Sequence, residues 1–534
     1  MTSVKGQNQT IGLFLNTDTS QDGYTLIAPS ISTKTFLIDN CGRLVNQWES
    51  QFRPGAVAYL LETGQLLRTG SVSGSFSGGG RGGMIELFDW DGELEWSYRF
   101  ADENQHQHHD VEYLPNGNIL VLAWEKIESD DAKTKGIQRN LGNNGIWPDK
   151  VVEIKPIGID SAEIVWEWRI WDHLIQDVDS TLTTYGVISD HPELINMNLD
   201  FSGFGNSPDW NHCNAIDYNP ELDQIIINSR NFNEFWIIDH STTTEEAASH
   251  SGGRYGKGGD ILYRWGNPVN YNRGSVVDQK LSGQHDAHWI EYGSDKGKII
   301  IFNNATDRNY SAIDVVDTQV DENGFYEILP GLPFGPAEVD WSYSRVSGGL
   351  DFNAGRVSGA SRLPNGNTII CNGEAGRIWE IDENKNTVWD YQNPVSSTQL
   401  TQGDNPGGTA LFRAYKYPTF YPGLVGKDLT PGLPLELEPL DRECTIFISN
   451  LTEIENHNLL VYPNPVLDVV NIKSQNSNEY NLLIIDGKGH IVVNKIVKTG
   501  NTSVDMSRLN SGLYLIQARF ENAKETFTSK VIKI

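Results

Sequence analysis

The hydrophobic pattern of the chain is a series of short apolar runs separated by turn residues. Typical runs are Ile119-Leu-Val-Leu122 and Gln224-Ile-Ile-Ile-Asn228, and each is bounded by residues that favour turns. Helical periodicity is nearly absent, and glycine is frequent along the chain. Short runs rich in β-branched residues and bounded by turn formers are typical of strands, so the predicted fold class is all-β.

The apolar runs recur as a repeat, in which each copy has two hairpins and the second hairpin ends in tryptophan. The second hairpins cover residues 36–48, 85–96, 151–168, 236–265, 313–341 and 378–389. Two hairpins make four strands, which is the content of one propeller blade, so the repeat predicts a six-bladed β-propeller. The first copy lacks its innermost strand, and residues 411–417 are predicted to supply it. The tryptophans are expected to pack between blades.

Composition separates a C-terminal module from the rest. The net charge is −29, but from Phe447 onward the chain holds nine basic and eight acidic residues, so the excess of acid lies before it. A Pro-rich stretch precedes this module. We therefore predict a propeller over residues 1–430, a linker over 431–455 and a small β-sandwich over 456–534. Residues 172–209, between the third and fourth copies, are expected to form a helical lid.

Charge and hydropathy also restrict the partners. A strongly acidic chain is unsuited to nucleic acid or to an anionic membrane surface. No apolar run approaches the length of a membrane span. The first residues lack the apolar core of a signal peptide, so either the protein is cytoplasmic or a signal has been removed from this numbering.

Four widely spaced cysteines without a CxxC motif argue against zinc-ribbon and thioredoxin-like sites. A bridge between Cys41 and Cys444 would tie the two ends of the large domain together. Four unpaired thiols are the alternative.

Three consecutive copies begin their innermost strand with histidine: His108 and His109, then His212, then His285. Equivalent positions on neighbouring blades converge at one end of the central channel. If Tyr218 pairs with Gln224 in the intervening hairpin, His212 lies opposite Arg230, within about 5.5 Å at Cβ. The repeat thus predicts a site of several histidines and one arginine.

The chemistry of that site could be metal binding or oxyanion binding. Three histidines could hold zinc, but an adjacent guanidinium would repel the ion. An oxyanion fits better, because neutral imidazole is a nucleophile towards sulfur or phosphorus and Arg230 can stabilise the charged oxygens. The run Gly78-Gly-Gly-Arg-Gly-Gly83 lacks the spacing of a nucleotide loop and is interpreted as a flexible loop. No cofactor is predicted.

At these residues the chain resembles the bacterial arylsulfate sulfotransferases that act without a nucleotide sulfate donor. The resemblance covers about residues 20–425. The stretches are His108-His109-Asp-Val-Glu-Tyr-Leu-Pro-Asn-Gly-Asn, His212-Cys-Asn-Ala-Ile-Asp with Ser229-Arg230, Tyr263-Arg-Trp-Gly266, Gln284-His285-Asp-Ala-His-Trp289 and Ser358-Gly-Ala-Ser-Arg-Leu-Pro-Asn-Gly-Asn367.

The resemblance implies ping-pong transfer of a sulfuryl group from a phenolic sulfate to a phenol through a sulfohistidine. It implies that His285 is the nucleophile, and that His212, Arg230 and either His108 or His109 bind the sulfuryl group. Asn214, Asp286 and His288 are expected to contact substrate. A non-catalytic propeller that binds a ligand or partner at the cell surface is the alternative, and hydrolysis with water as acceptor is a third hypothesis.

The tail resembles the C-terminal sorting domain of the type IX secretion pathway. The matching features are Tyr462-Pro-Asn-Pro, Gly512-Leu-Tyr and a basic, apolar terminus. This implies export from a Bacteroidetes-like bacterium, recognition by the type IX secretion machinery, and a secreted or surface-held product whose signal peptide is absent from this numbering.

Overall fold

The computed structural model divides the chain into two compact units after Ile448. It describes residues 9–199, 207–344, 352–441, 443–447, 459–462, 466–474, 480–486, 491–498, 501–520 and 526–533. The start of the predicted linker packs on the large unit, because the Gly432 amide donates to the Leu44 carbonyl and the Leu435 amide to the Gly42 carbonyl. The domain boundaries themselves stay predictions.

The regular secondary structure of the large unit is mostly strand. Its strands are β1 Gly12–Asn16, β2 Gly23–Pro29, β3 Lys34–Asp39, β4 Leu44–Glu49, β5 Pro54–Leu60, β6 Leu66–Ser71, β7 Gly83–Phe88, β8 Leu94–Arg99, β9 Gln105–Tyr113, β10 Ile119–Glu125, β11 Asp149–Ile157, β12 Ser161–Arg169, β13 Leu174–Ile175, β14 Ile195–Asn196, β15 Cys213–Asn219, β16 Gln224–Ser229, β17 Glu234–Asp239, β18 Tyr263–Trp265, β19 His285–Trp289, β20 Ile299–Asn303, β21 Ala312–Val316, β22 Trp341–Tyr343, β23 Gly359–Arg362, β24 Thr368–Asn372, β25 Arg377–Ile381, β26 Thr387–Gln392 and β27 Leu411–Pro418. Its helices are α1 Ser129–Lys135 and α2 Thr244–Ala247, with 3-10 turns at Ile170–Asp172, Ile188–Asp190, Pro268–Tyr271, Val276–Asp278, Gly293–Asp295 and Pro422–Leu424.

The strands form antiparallel sheets that follow the predicted repeat. The sheets are β27-β2-β3-β4, β5 to β8, β9 to β12, β15 to β18, β19 to β22, and β23 to β26 with β1 added at the outer edge. The pairing of β27 with β2 confirms that residues 411–417 supply the strand that the first copy lacks. The first strand of each later sheet contacts the first strand of the next, and β27 contacts both β23 and β5. The large unit is thus all-β and propeller-like.

The repeated tryptophans connect each sheet to the next. The indole of Trp48 donates to the Asp89 carbonyl at 2.8 Å, and that of Trp389 donates to the Asn40 carbonyl at 2.8 Å. Trp96 and Trp265 bond carbonyls beyond their own sheets in the same way. Buried aromatic rings supply apolar area, and an indole N–H needs an acceptor when it is buried. This explains why each copy ends in tryptophan, and it confirms their predicted place between sheets.

The helical lid expected over residues 172–209 is wrong for the part that the structure describes. Residues 172–199 and 207–209 contain 3-10 turns and a parallel pair of two-residue strands, β13 and β14, but no α-helix. The segment is held instead by side chains: Gln176 accepts from the Val178 and Asp179 amides at 2.8 and 2.7 Å. Its polar turn residues favour such local bonds over a helical ladder.

The described residues of the small unit form seven strands. They are β28 Leu459–Tyr462, β29 Val469–Ser474, β30 Tyr480–Asp486, β31 Ile491–Val497, β32 Asn501–Asp505, β33 Gly512–Phe520 and β34 Thr526–Lys533. They form a three-stranded and a four-stranded antiparallel sheet with a shared apolar core that includes Ile472, Leu482 and Ile516. Residues 463–465 of the Tyr-Pro-Asn-Pro motif lie outside the described residues.

The Cys41–Cys444 disulfide is present, while Cys213 and Cys371 are buried thiols. The bridge closes a loop between residues 403 apart, so it restricts the unfolded chain strongly.

We expect the double substitution of Cys41 and Cys444 to serine to lower the free energy of unfolding of the large unit by about 2–5 kcal/mol. Thermal unfolding measured with and without reductant would check this. The double variant should lose all sensitivity to reductant, and wild type that is equally insensitive would contradict the prediction.

Candidate functional site

The predicted histidines lie where the innermost strands are distorted. The pairing of β9 with β10, of β15 with β16 and of β19 with β20 shifts register beside His109, His212 and His285 respectively. His109 and His212 have left-handed backbone conformations, with φ of 52° and 49°. Such conformations are unfavourable for residues other than glycine and persist where the surroundings impose them. Bulges of this kind redirect side chains at the rims of sheets.

The bulge beside His212 sets the pairing register at the open end of the hairpin formed by β15 and β16. Gln224 pairs with Asn219 rather than with Tyr218, so the predicted turn register is wrong by one residue. The bulge around Asn214 absorbs that residue, and the Arg230 amide donates to the His212 carbonyl at 3.3 Å. The predicted opposition of His212 and Arg230 is therefore confirmed.

His285 is held in one tautomer. Its Nδ1 lies 2.7 Å from the Asn304 amide oxygen. The Asn304 amide nitrogen donates to the carbonyls of Ala354 and Val357, so its oxygen must be the acceptor for the ring. Nδ1 therefore carries the proton, and the Nε2 lone pair receives the Val357 amide at 3.2 Å. The nitrogen with nucleophilic capacity is Nε2.

His285 is also kept neutral. Burial lowers the pKa of His285 well below its ordinary value, and the positive charge of Arg230 lowers it further. Neutral imidazole is the form that can attack an electrophile, so the ring is ready to react at neutral pH.

His212 is oriented by a carboxylate. Its Nδ1 donates to Asp209 at 2.6 Å, and Asp209 also accepts the indole N–H of Trp124 at 3.1 Å. Burial raises the pKa of Asp209, but His212 and these hydrogen bonds outweigh it and hold the pKa below its ordinary value. The ionised Asp209 holds the proton on Nδ1 of His212 and so fixes the orientation of the ring.

The structure distinguishes His109 from His108. The His109 ring lies 4.8 Å from the His212 ring, while His108 stacks on Trp124 at 4.0 Å, behind His109. The two histidines bond through their Nδ1 atoms at 2.8 Å, and Nε2 of His108 lies 2.6 Å from Asp149. A hydrogen-bonded chain thus runs from Asp149 through His108 to His109.

The hydrogen-bonded chain of Asp149, His108 and His109 contains one group that titrates near neutral pH. Burial lowers the pKa of His108 to about 3 and that of His109 well below its ordinary value. Burial, with the neighbouring Asp209, raises the pKa of Asp149 to about 8. Both rings are therefore neutral, and the exchangeable proton belongs to the carboxyl end.

Arg230 supplies positive charge to the cluster. Burial lowers its pKa from the ordinary value, and Asp209 partly opposes this, but a guanidinium remains charged at neutral pH. Its Nη1 also donates to Asn231 at 3.3 Å. A half-buried guanidinium beside the neutral His285 suits the binding of a tetrahedral oxyanion, because the cation attracts the anionic oxygens.

Three residues expected to contact substrate have partners within the protein. The Asn214 amide donates to the carbonyl of Gln284 at 3.0 Å, directly before His285. The Asp286 carboxylate accepts the Ala360 amide at 2.9 Å. His288 contacts the Asp286 carbonyl at 3.0 Å; burial opposes its charge, yet the pKa is raised to about 9 because Asp286 stabilises the imidazolium. Their predicted contacts with substrate stay predictions.

The glycine run at residues 78–83 packs against the histidines. A Cβ at Gly80 would lie 2.1 Å from Nε2 of His109, and one at Gly79 would lie 3.3 Å from Cε1 of His212. Glycine is required here because any side chain would occupy the space at the rings. The glycine run itself is the sequence signal for this packing, and its interpretation as a flexible loop does not account for these contacts.

Other supporting residues gave no clear sequence signal. Asp149 begins β11, Asn304 follows β20, and Arg413 lies on β27, so all three lie far along the chain from the histidines they support. Asp209, three residues before His212, was close enough to have been identified as its partner.

Two family models match separate parts of the chain. A family model for arylsulfotransferase (ASST) matches residues 30–389, which is more than half of the chain. A second model, for a secretion system C-terminal sorting domain, matches residues 460–534. No curated protein matches the chain. In the described residues, no helix is long and apolar enough to cross a membrane.

Solved structures share only weak likeness. A Bacteroides caccae protein of unknown function is 12% identical, with 74% of this chain and 99% of that chain covered and a TM-score of 0.39. The periplasmic gluconolactonase of Pseudomonas aeruginosa is 10% identical, with 70% and 95% covered and a TM-score of 0.37. Virginiamycin B lyase from Staphylococcus aureus is 10% identical, with 72% and 89% covered and a TM-score of 0.33.

Arg230→Lys should weaken the binding of inorganic sulfate about tenfold, or roughly 1.4 kcal/mol, because lysine keeps the charge but loses the planar fork. Calorimetric titration of sulfate at constant ionic strength would measure this. Arg254→Lys, at an exposed arginine, is the matched control. Equal sulfate affinity in wild type and Arg230→Lys would remove Arg230 from the anion site.

Proposed function

The chain belongs to the arylsulfotransferase family, and on that premise we propose that it transfers a sulfuryl group from a phenolic sulfate ester to a phenol through a sulfated His285. One observation carries the proposal: the Nε2 lone pair of a buried, neutral His285, with its Nδ1 proton held by Asn304 and the charge of Arg230 nearby. A nucleophile and a cation for the developing charge are the two requirements of such a transfer.

In the first half-reaction, Nε2 of His285 exchanges its hydrogen bond from the Val357 amide for a bond to sulfur, and the bond from sulfur to the phenolic oxygen breaks. The ring becomes an N-sulfo imidazolium, whose Nδ1 proton is already donated to Asn304 at 2.7 Å. Arg230, His212 and His109 stabilise the sulfuryl oxygens. The leaving phenolate takes up a proton. In the second half-reaction an acceptor phenol loses its proton and attacks the sulfur, which restores neutral His285.

The proton for the leaving phenolate is supplied through the hydrogen-bonded chain that runs from Asp149 through His108 to His109. With Asp149 protonated, its proton bonds Nε2 of His108, Nδ1 of His108 donates to His109, and Nε2 of His109 carries the proton offered to the leaving oxygen. Transfer of that proton shifts each bond by one position and leaves Asp149 ionised. Neither His108 nor His109 becomes an imidazolium at any stage, in keeping with the lowered pKa of both rings.

The same chain returns the proton in the second half-reaction, when the acceptor phenol is deprotonated by Nε2 of His109. Asp149, whose pKa burial raises to about 8, can both give and take a proton near neutral pH. The hydrogen-bonded chain therefore acts as a general acid in the donor half-reaction and as a general base in the acceptor half-reaction.

The finer architecture and location are also proposals. The six large sheets, five with four strands and one with five, are blades of one closed propeller, in which β27 completes the first blade, and the histidines share one end of the central channel. The sorting tail implies export, and the type IX machinery is the proposed partner that delivers the protein to the cell surface or medium. We propose no cofactor, and aryl sulfate and phenol are the substrates.

Release of phenol from an aryl sulfate by the full chain should accelerate when a second phenol is added, with the parallel-line kinetics of a ping-pong reaction. His285→Ala should lose this activity entirely, since it lacks the nucleophile. His212→Ala should retain a slow reaction. His191→Ala, at a half-exposed histidine paired with Glu193, is the control and should match wild type.

Tight binding of aryl sulfate without phenol release by wild type would instead favour a cell-surface binding module. Phenol release that no added phenol accelerates would favour hydrolysis.

Asp149→Asn should impair the reaction selectively with donors whose leaving phenol is basic. Asparagine fills the same space but cannot supply the proton, so phenyl sulfate should react about 100-fold more slowly. para-Nitrophenyl sulfate, whose leaving oxygen needs little protonation, should react nearly as fast as with wild type.

In wild type, the burst of phenol from phenyl sulfate should decline as pH rises through about 8, because Asp149 ionises there. Equal slowing of both donors would indicate a structural role and contradict the relay.

A further inference from the structure

A second group of metal-binding side chains lies outside the histidine cluster. His173, His250 and Asp260 come from separate segments: the turn after β12, the insertion after α2, and the end of that insertion. Nδ1 of His173 and Nδ1 of His250 each lie 2.8 Å from the same oxygen, Oδ1 of Asp260. The three donor atoms all lie within 4.8 Å of one another.

The hydrogen bonds of His173 fix which nitrogen faces Asp260. Its Nε2 lies 2.8 Å from the carbonyl of Ala247, the last residue of α2. A carbonyl can only accept, so Nε2 carries a proton, and in the neutral ring Nδ1 presents its lone pair. The Nδ1 lone pair thus faces a carboxylate oxygen, and either a proton or a metal ion must lie between the two atoms. A histidine whose outer nitrogen donates to a carbonyl is typical of metal ligands.

We propose that His173, His250 and Asp260 bind a divalent transition-metal ion, with Zn²⁺ as the best-suited ion. Two imidazole nitrogens and a carboxylate oxygen are ligands that zinc prefers. His173 is fully buried and Asp260 nearly so, whereas the His250 side chain is 61% exposed. Solvent can therefore reach the site and supply a fourth ligand.

Metal binding requires a local adjustment. Bonds of about 2.0–2.1 Å in a tetrahedron separate the ligand atoms by roughly 3.3 Å, so the two 2.8 Å contacts must open by about half an ångström. The two Nδ1 atoms, which lie within 4.8 Å of each other, must reach the same separation. The exposed His250 ring can move by this amount without disturbing a packed neighbour, while His173 stays against Trp168, on which it stacks at 5.7 Å.

The ion would fasten the insertion between β17 and β18 to the end of β12. This insertion begins with the capping box of Thr243 and Glu246 on α2, and its far end is bonded through the Gly259 carbonyl to the Trp168 indole at 2.7 Å. Two of the three ligands lie on the insertion and the third lies on the other side. The role is structural and does not depend on the proposed transfer reaction.

The test uses the full chain after treatment with chelator and dialysis, titrated with Zn²⁺ by calorimetry and with Co²⁺ by visible absorption. We expect one site removed by His250→Ala or Asp260→Asn, each of which should weaken binding at least tenfold. Zn²⁺ should raise the melting temperature of wild type but not of either variant. His191→Ala, at a half-exposed histidine outside the group, is the control.

His250→Ala is decisive because an exposed residue can be changed without unfolding the protein. Loss of the site in this variant supports the proposal. An unchanged stoichiometry in both variants would assign the ion to other histidines, and no binding by wild type would leave His173 as an imidazolium paired with Asp260. Either result overturns the proposal.

Discussion

The histidine cluster depends on one buried guanidinium. Arg413, on β27, donates to Asp110 at 2.8 Å and to the Asn214 carbonyl at 2.8 Å, and its Nε lies 3.1 Å from Asp286. These partners belong to β9, β15 and β19, the strands that carry or directly follow the histidines. Burial alone would lower the pKa of Arg413, but Asp286 and its other anionic neighbours raise it well above the ordinary value. Removal of one partner from such a buried pair costs about 3–5 kcal/mol, so the strand ends are held firmly.

The charge distribution follows from that arrangement. Arg413 forms ion pairs with the carboxylates of Asp110 and Asp286, whereas Arg230 lies near the neutral His285 and the ionised Asp209. Both guanidiniums lower the pKa of His285, so its imidazole resists protonation and stays nucleophilic. The site therefore combines a nucleophilic lone pair with the positive charge of Arg230, and transfer of a sulfuryl group requires both.

The fold followed from the sequence because its signals are local and repeated: apolar runs, turn residues and a tryptophan at a fixed phase. The histidines could be placed together because the repeat superimposes residues more than a hundred positions apart. The bulge at Asn214 could not be predicted, since an extra residue in one strand leaves the apolar pattern intact. The roles of Asp149 and Asn304 could not be predicted for a different reason. Both residues act through contacts with histidines on neighbouring strands, whereas carboxylates and amides at strand ends usually form hydrogen bonds within turns.

The central claim is that His285 carries the sulfuryl group. The most direct measurement is incubation of the full chain with an aryl sulfate bearing radioactive sulfur, alkaline quenching, and mapping of the labelled peptide. The account predicts one label on His285, stable to base, released by acid and discharged by an added phenol. Label on His212 or His109, or label retained by His285→Ala, would contradict it.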